Sequence, residues 1–215
     1  MKNKILVILG PTSSGKTKWA VKLAHKFNGE IVSADSRQVY KGMDVGTGKD
    51  LQEYIVKAEG RRQPAPLRGA RPGKVLVPYH LIDVVRPNTA FNLAKYQKLA
   101  FRAINDILKR GKLPILVGGT GLYIQSIVDN YDLPTGKTDL KLRKRLEKKS
   151  LPLLLRELKK KDLYSYNKVD KKNKRRVERA LEYYLATGNS FFKKQSKKKS
   201  DLEFLQIGIT VDREV

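Results

Sequence analysis

Ile5-Leu6-Val7-Ile8-Leu9-Gly10-Pro11-Thr12-Ser13-Ser14-Gly15-Lys16-Thr17 is the stretch that decides the fold. The apolar run reads as a buried strand, Lys4–Leu9, ended by a Gly-Pro turn. Gly10 to Thr17 then fits G-x-x-x-x-G-K-[ST] at every fixed position. Its glycines let backbone N–H groups wrap a phosphate, and the start of the next helix adds positive potential. Lys16 offers a point charge to an outer phosphate, and the Thr17 hydroxyl can hold Mg²⁺. The ligand is therefore expected to carry a diphosphate or triphosphate, bound by Gly10, Pro11, Thr12, Ser13, Ser14, Gly15, Lys16 and Thr17.

Outward from this loop the pattern remains α/β. Thr17–Phe27 reads as a helix, with Trp19, Ala20, Leu23, Ala24 and Phe27 on its inner stripe. Glu30–Ala34 reads as a second strand, and Tyr79–Val85 returns to strand character. Ala94–Lys109 reads as a helix, Leu113–Val117 as a buried strand, and Leu122–Asn130 as a further helix. Residues 53–78, rich in Pro, Gly and Arg, read as an inserted surface loop.

From Asp139 the chain turns to basic helices, Asp139–Lys149, Leu151–Lys161 and Lys174–Thr187, the last closed by Gly188. Ser190–Ser200 reads as weakly structured. Leu205–Thr210 reads as a last strand, so the helical section is inserted into the core. The expected architecture is a P-loop NTPase-like parallel sheet core over 1–136, a basic helical subdomain over 137–190, and a return to the core over 191–215.

Charge separates the function classes. The chain has 46 Lys and Arg against 21 Asp and Glu, a formal +25, and residues 137–199 alone hold 23 against 7. An excess concentrated in one segment favours nucleic acid over a small anion. Nor does any basic stretch carry the clean apolar face of a membrane-surface helix. Cysteine is absent, which excludes disulfides and thiolate metal sites. Ile5–Leu9 is too short for a signal sequence or a membrane span, and a soluble, cytoplasmic, monomeric protein is expected.

Three further segments carry candidate chemistry. Ser33-Ala34-Asp35-Ser36-Arg37-Gln38 follows the second strand, where loops of open α/β sheets face the ligand crevice. Asp35 reads there equally as a general base, a metal ligand or a loop cap. Gly118-Gly119-Thr120-Gly121 follows a buried strand and permits close backbone approach to a ligand. Arg175, Arg176 and Arg179 can share one helix face suited to phosphates. Asp83 is a poor Walker-B aspartate, because Pro78 and His80 break the preceding apolar run, and reads instead as a cap or surface residue. His25 and His80 lack partners for a metal site and are assigned no chemistry. Core packing is expected of Tyr183 and Tyr184.

Taken together, GPTSSGKT (10–17), SADSRQVYKGMDVGTGK (33–49), YHLID (79–83) with LPILVGGTGLY (113–123), and RRVERALEYYLATG (175–188) resemble the tRNA dimethylallyltransferases, the bacterial tRNA isopentenyltransferase family. The resemblance implies transfer of a dimethylallyl group from dimethylallyl diphosphate, with Mg²⁺, to N6 of an adenosine beside the anticodon of tRNA. It implies Asp35 as general base, with Lys16 and Thr17 as diphosphate and metal contacts. It also implies Arg213 on the diphosphate. Asp35, Ser36, Arg37, Gln38, Thr120, Arg175, Arg176, Val177, Glu178 and Arg179 match positions that contact tRNA. The chain departs from the family pattern at Gly48-Lys49-Asp50, where AKP is usual, at Tyr79-His80, where two histidines are common, and in its longer 53–78 stretch. It stops at Val215, soon after Arg213, so a truncated C-terminus is expected. Prenylation of free adenine nucleotides and small-molecule P-loop kinase activity are the competing readings. Competition by AMP would mark the first, and failure to bind RNA the second.

Overall fold

The computed structural model describes residues 3–57, 74–131, 133, 139–192 and 201–210. It divides into two compact units, Met1–Asn130 with Lys199–Val215, and Tyr131–Lys198.

The first unit is built on a parallel five-stranded sheet. Its strands are β1 (Lys4–Leu9), β2 (Gly29–Ser33), β5 (Tyr79–His80), β6 (Leu113–Gly118) and β7 (Glu203–Gly208). They lie in the order β5-β2-β6-β1-β7, with every adjacent pair parallel. Alternate residues face opposite sides, as a pleated strand requires. On one side Ile5, Val7, Val32 and Leu116 pack with helices α2 (Leu93–Lys109) and α3 (Gly121–Val128), through Tyr96, Ala100, Ile104, Ile107 and Ile127. On the other side Leu6, Ile8, Ile31, Ile115 and Val117 pack against α1 (Lys16–Lys26). Helices on both faces explain why β1 and β6 read as continuous apolar runs.

Three expectations change here. The inner stripe of α1 is Ala20, Val21 and Ala24, whereas Trp19 is 58% exposed and Phe27 46%. Small residues let α1 lie close on the sheet, which leaves no room for an indole beneath it; Trp19 instead lies outside under the Lys22 ammonium, 5.4 Å from the ring centre. Tyr79–Val85 keeps strand pairing only at Tyr79 and His80, because Leu81 and Asp83 take positive φ values of 67° and 55°. The 53–78 stretch is not all loop: Ile55–Lys57 (β3) pairs antiparallel with Lys74–Leu76 (β4). Residues 58–73 lie outside the described residues.

The second unit is helical. Helices α4 (Leu140–Glu147), α5 (Leu151–Lys161), α6 (Leu163–Lys168) and α7 (Lys174–Thr187) enclose Leu142, Leu146, Leu154, Leu158, Val169, Val177 and Leu181. Asp139, Asp162 and Asn173 cap α4, α6 and α7 by accepting N–H donors of the first turn, and Gly188 closes α7 at φ 70°. The short α6 gave no periodic signal in sequence. Tyr183 packs edge-on against Phe191 and is buried, while Tyr184 is half-buried. Residues 193–200 lie outside the described residues.

Candidate active site at the ends of the parallel strands

The cleft lies where β1, β2 and β6 end, at the carboxyl edge of the sheet. It has a volume of about 420 Å³ and is lined by the P-loop, by Ser33, Asp35 and Gln38, and by the turn Asp44–Asp50. Gly15 takes φ 73° at the start of α1, a left-handed conformation that glycine adopts without strain. Lys16 Nζ donates to Pro11 O at 2.8 Å, folding its ammonium back over the loop. Burial lowers the Lys16 pKa, and the charges of Asp35 and Glu53 offset part of that effect. The Ser14 hydroxyl is buried without a hydrogen-bond partner among the described residues. Such an orphan is costly unless a ligand satisfies it.

Asp35 stands across the cleft from the loop. Its Oδ1 accepts from the backbone N–H of Arg37 at 2.8 Å and of Gln38 at 3.4 Å. Its Oδ2 has no partner among the described residues, so one oxygen anchors the turn while the other is left unpaired at the cleft wall. The turn is braced from β6. Thr120 Oγ1 accepts from Ser36 N at 3.0 Å, and Thr120 N donates to Ala34 O at 3.1 Å. A Cβ on Gly118 would lie 2.1 Å from Ala34 O, so only glycine lets the two strand ends approach this closely.

The sequence reading missed the wall made by residues 44–50. Lys49, with its side chain 1% exposed, donates to Asp83 Oδ1 at 2.6 Å, Asp44 Oδ1 at 2.7 Å and Tyr40 O at 3.0 Å. Burial alone would lower its pKa, but the hydrogen bonds to Asp44 and Asp83 outweigh burial and raise it. Asp83 is therefore neither a helix cap nor a free surface carboxylate; it holds a buried ammonium. Gln38 links this wall to the Asp35 turn, donating to Gly48 O at 3.0 Å and accepting from Ser33 Oγ at 3.2 Å. The glycines at 42, 46 and 48 marked a turn-rich segment, but nothing local paired Lys49 with Asp83.

The other expected residues divide. Arg37 and Ser36 are exposed beside the cleft. Arg175, Arg176 and Arg179 are exposed on α7, and Glu178 is ion-paired to Lys174 at 3.5 Å. Val177 is fully buried in the helical core, so its side chain offers no surface to a ligand. Arg213 lies outside the described residues. No described helix is long and apolar enough to cross a membrane.

Two family models cover nearly the whole chain: Isopentenyl transferase matches residues 3–62 and IPP transferase matches residues 68–215. The chain belongs to the IPP transferase family. A tRNA dimethylallyltransferase of Anoxybacillus flavithermus is 41% identical over 216 residues, covering 100% of this chain and 63% of the relative. Another, from Syntrophus aciditrophicus, is 40% identical, covering 100% of this chain and 65% of the relative. A solved eukaryotic dimethylallyltransferase acting on tRNA matches with TM-score 0.75 at 29% identity, over 97% of this chain and 48% of that one. The tRNA isopentenylpyrophosphate transferase of Bacillus halodurans matches with TM-score 0.55 at 37% identity, over 96% and 60%. This IPP transferase chain thus spans less than two thirds of the length of these relatives. The shared family and the solved relatives agree with a P-loop NTPase-like sheet as its core.

Proposed function

We propose that this chain transfers a dimethylallyl group from dimethylallyl diphosphate to the exocyclic N6 of an adenosine next to the anticodon of tRNA, releasing diphosphate. The observation that carries the reading is the free Oδ2 of Asp35 in the same cleft as Lys16 and Thr17 of the phosphate loop. The adenine N6 is a weak nucleophile because its lone pair is delocalised into the ring. Asp35 orients it and accepts its proton as the N–C bond forms and the C–O bond to diphosphate breaks. Lys16 and the P-loop amides stabilise the charge gathering on the leaving diphosphate. The orphaned Ser14 hydroxyl is a further donor in that loop. Arg213 adds a guanidinium to the diphosphate by resemblance alone.

The lining also suits Mg²⁺. Thr17, Asp50 and Glu53 offer oxygen donors, and Mg²⁺ is bound through few protein oxygens together with substrate phosphates. Held by Thr17 and the donor's phosphates, the ion would supply charge neutralisation. The target base must leave its stack, which is cheapest in a single-stranded loop. Ser36, Arg37, Gln38 and Thr120 would receive the acceptor loop, while Arg175, Arg176 and Arg179 would hold phosphates of the stem. A cytoplasmic, monomeric enzyme acting on tRNA accords with these roles.

The test is transfer of labelled dimethylallyl diphosphate to an anticodon stem-loop with adenosines in its loop, with Mg²⁺ and no ATP. Incorporation at N6 is expected. Preferential labelling of AMP would replace tRNA by free nucleotides, and ATP-dependent phosphorylation without RNA binding would replace transfer by kinase chemistry.

A further inference from the structure

Apart from the cleft, the described residues form a second concavity within the helical unit, between α4 and α7. It is lined by Arg143, Leu146, Glu147, Arg175, Glu178, Arg179 and Glu182. At its base is Glu182, a residue only 8% exposed. A buried carboxylate is costly unless paired, and this one is paired twice. Arg143 Nη2 donates to Oε1 at 3.0 Å and to Oε2 at 3.1 Å, and Arg179 Nη1 donates to Oε2 at 3.1 Å.

Each arginine commits a single terminal nitrogen to Glu182. The remaining N–H groups of both guanidiniums carry no bond among the described residues, and their side chains are 39% and 49% exposed. Arg175, one turn before Arg179 on α7, is exposed and has no ion pair among the described residues. Of the groove's other carboxylates, Glu178 is engaged by Lys174, leaving Glu147 as the one opposing charge. Three guanidiniums, two of them locked in orientation by one carboxylate, are suited to a tetrahedral oxyanion held by several N–H donors at once.

We propose that Arg143, Arg175 and Arg179 form a phosphate-binding fork for the sugar–phosphate backbone of RNA, and that Glu182 is the positioning residue that orients it. This rests on the reading that the chain acts on tRNA, and it goes beyond the α7 run by adding a contact from α4. Glu182 acts through the arginines and does not touch RNA. Its role has an unusual signature: removing its negative charge should weaken binding to a polyanion.

The test measures binding of the full chain to an anticodon stem-loop RNA across a salt series, with circular dichroism melting of every variant. Arg143→Gln should weaken binding roughly fivefold to tenfold and lower the slope of log affinity against log salt by about one. Arg143→Lys, which keeps the charge but not the fork, should fall between the two. Glu182→Gln should weaken binding; tighter or unchanged binding by the folded variant would overturn the positioning role. Arg143→Gln and Arg143→Lys that bind as the parent does would overturn the fork alone. Absence of RNA binding by the unsubstituted chain would overturn both the fork and the tRNA reading.

Discussion

Glu30, near the start of β2, and Asp35, just past its end, are carried by the same strand, yet the molecule treats them in opposite ways. Every oxygen of Glu30 is occupied. Oε1 accepts from Arg110 Nη1 and from Lys112 Nζ at 2.7 Å; Oε2 accepts from Arg110 Nη2 and lies against His80 Nε2, each at 2.8 Å. Burial alone would raise the Glu30 pKa, but the hydrogen bonds from Arg110, Lys112 and His80 outweigh burial and hold it at about 2. Asp35, in contrast, anchors with one oxygen and has no partner for the other among the described residues. The amino edge of the sheet devotes its carboxylate to holding elements together, and at the carboxyl edge one oxygen of Asp35 has no partner among the described residues. His80, assigned no chemistry from sequence, belongs to the structural end.

The contrast breaks first at Asp35. Asp35→Asn, which keeps an oxygen to accept from Arg37 N and Gln38 N, should lower dimethylallyl transfer by about 10²–10⁴-fold while leaving the melting temperature nearly unchanged. Equal loss of fold and activity would place Asp35 with Glu30 as a structural carboxylate.

Glu30→Gln should do the reverse, costing about 2–3 kcal/mol in thermal or denaturant unfolding with transfer per folded molecule preserved. The same residue predicts an acid limb. Because its folded pKa lies below the ordinary 4.5, its stabilisation is complete above pH 4.5 and is lost as pH falls toward 2. Melting curves between pH 6 and 2 should show this loss, and Glu30→Gln should flatten it.

Gly118→Ala tests how tightly the two ends are coupled. A Cβ driven against Ala34 O should cost about 1–3 kcal/mol and impair transfer as well, because the displaced backbone carries Asp35. The smallest effect is expected for Thr120→Val. It removes the acceptor for Ser36 N, for about 1 kcal/mol and a few-fold loss in transfer, read as rate at fixed donor concentration.

Much of the fold is legible in the sequence. β1, the phosphate loop and the start of α1 are continuous in sequence, and their physics is local: a buried apolar run, glycines at the turns and a lysine at the helix start. β6 and α7 were readable for the same reason, one as an unbroken apolar run and the other as a periodic helix with a glycine stop. Reading failed where packing overrode composition. Trp19 and Phe27 were expected inside because they are large and apolar, but a helix set close on a sheet takes alanines at its contact. Val177 is named among the tRNA contacts through the family resemblance alone, and the helix turns its side chain into the core.

The sequence by itself determined where the eight-residue phosphate-loop motif lies and on what kind of sheet, because such a loop is made from consecutive residues between a strand and a helix. It also determined where the basic charge concentrates. Only the tertiary structure decided which charges are available. Lys49 is neutralised by Asp44 and Asp83, Glu30 by His80 of β5, Arg110 just past α2 and Lys112 before β6, while one oxygen of Asp35 has no partner among the described residues and Arg143 comes beside Arg179 across Glu182. Such pairings join residues distant in the chain, and a charge becomes structural or functional only when the fold sets its partners and its access to water.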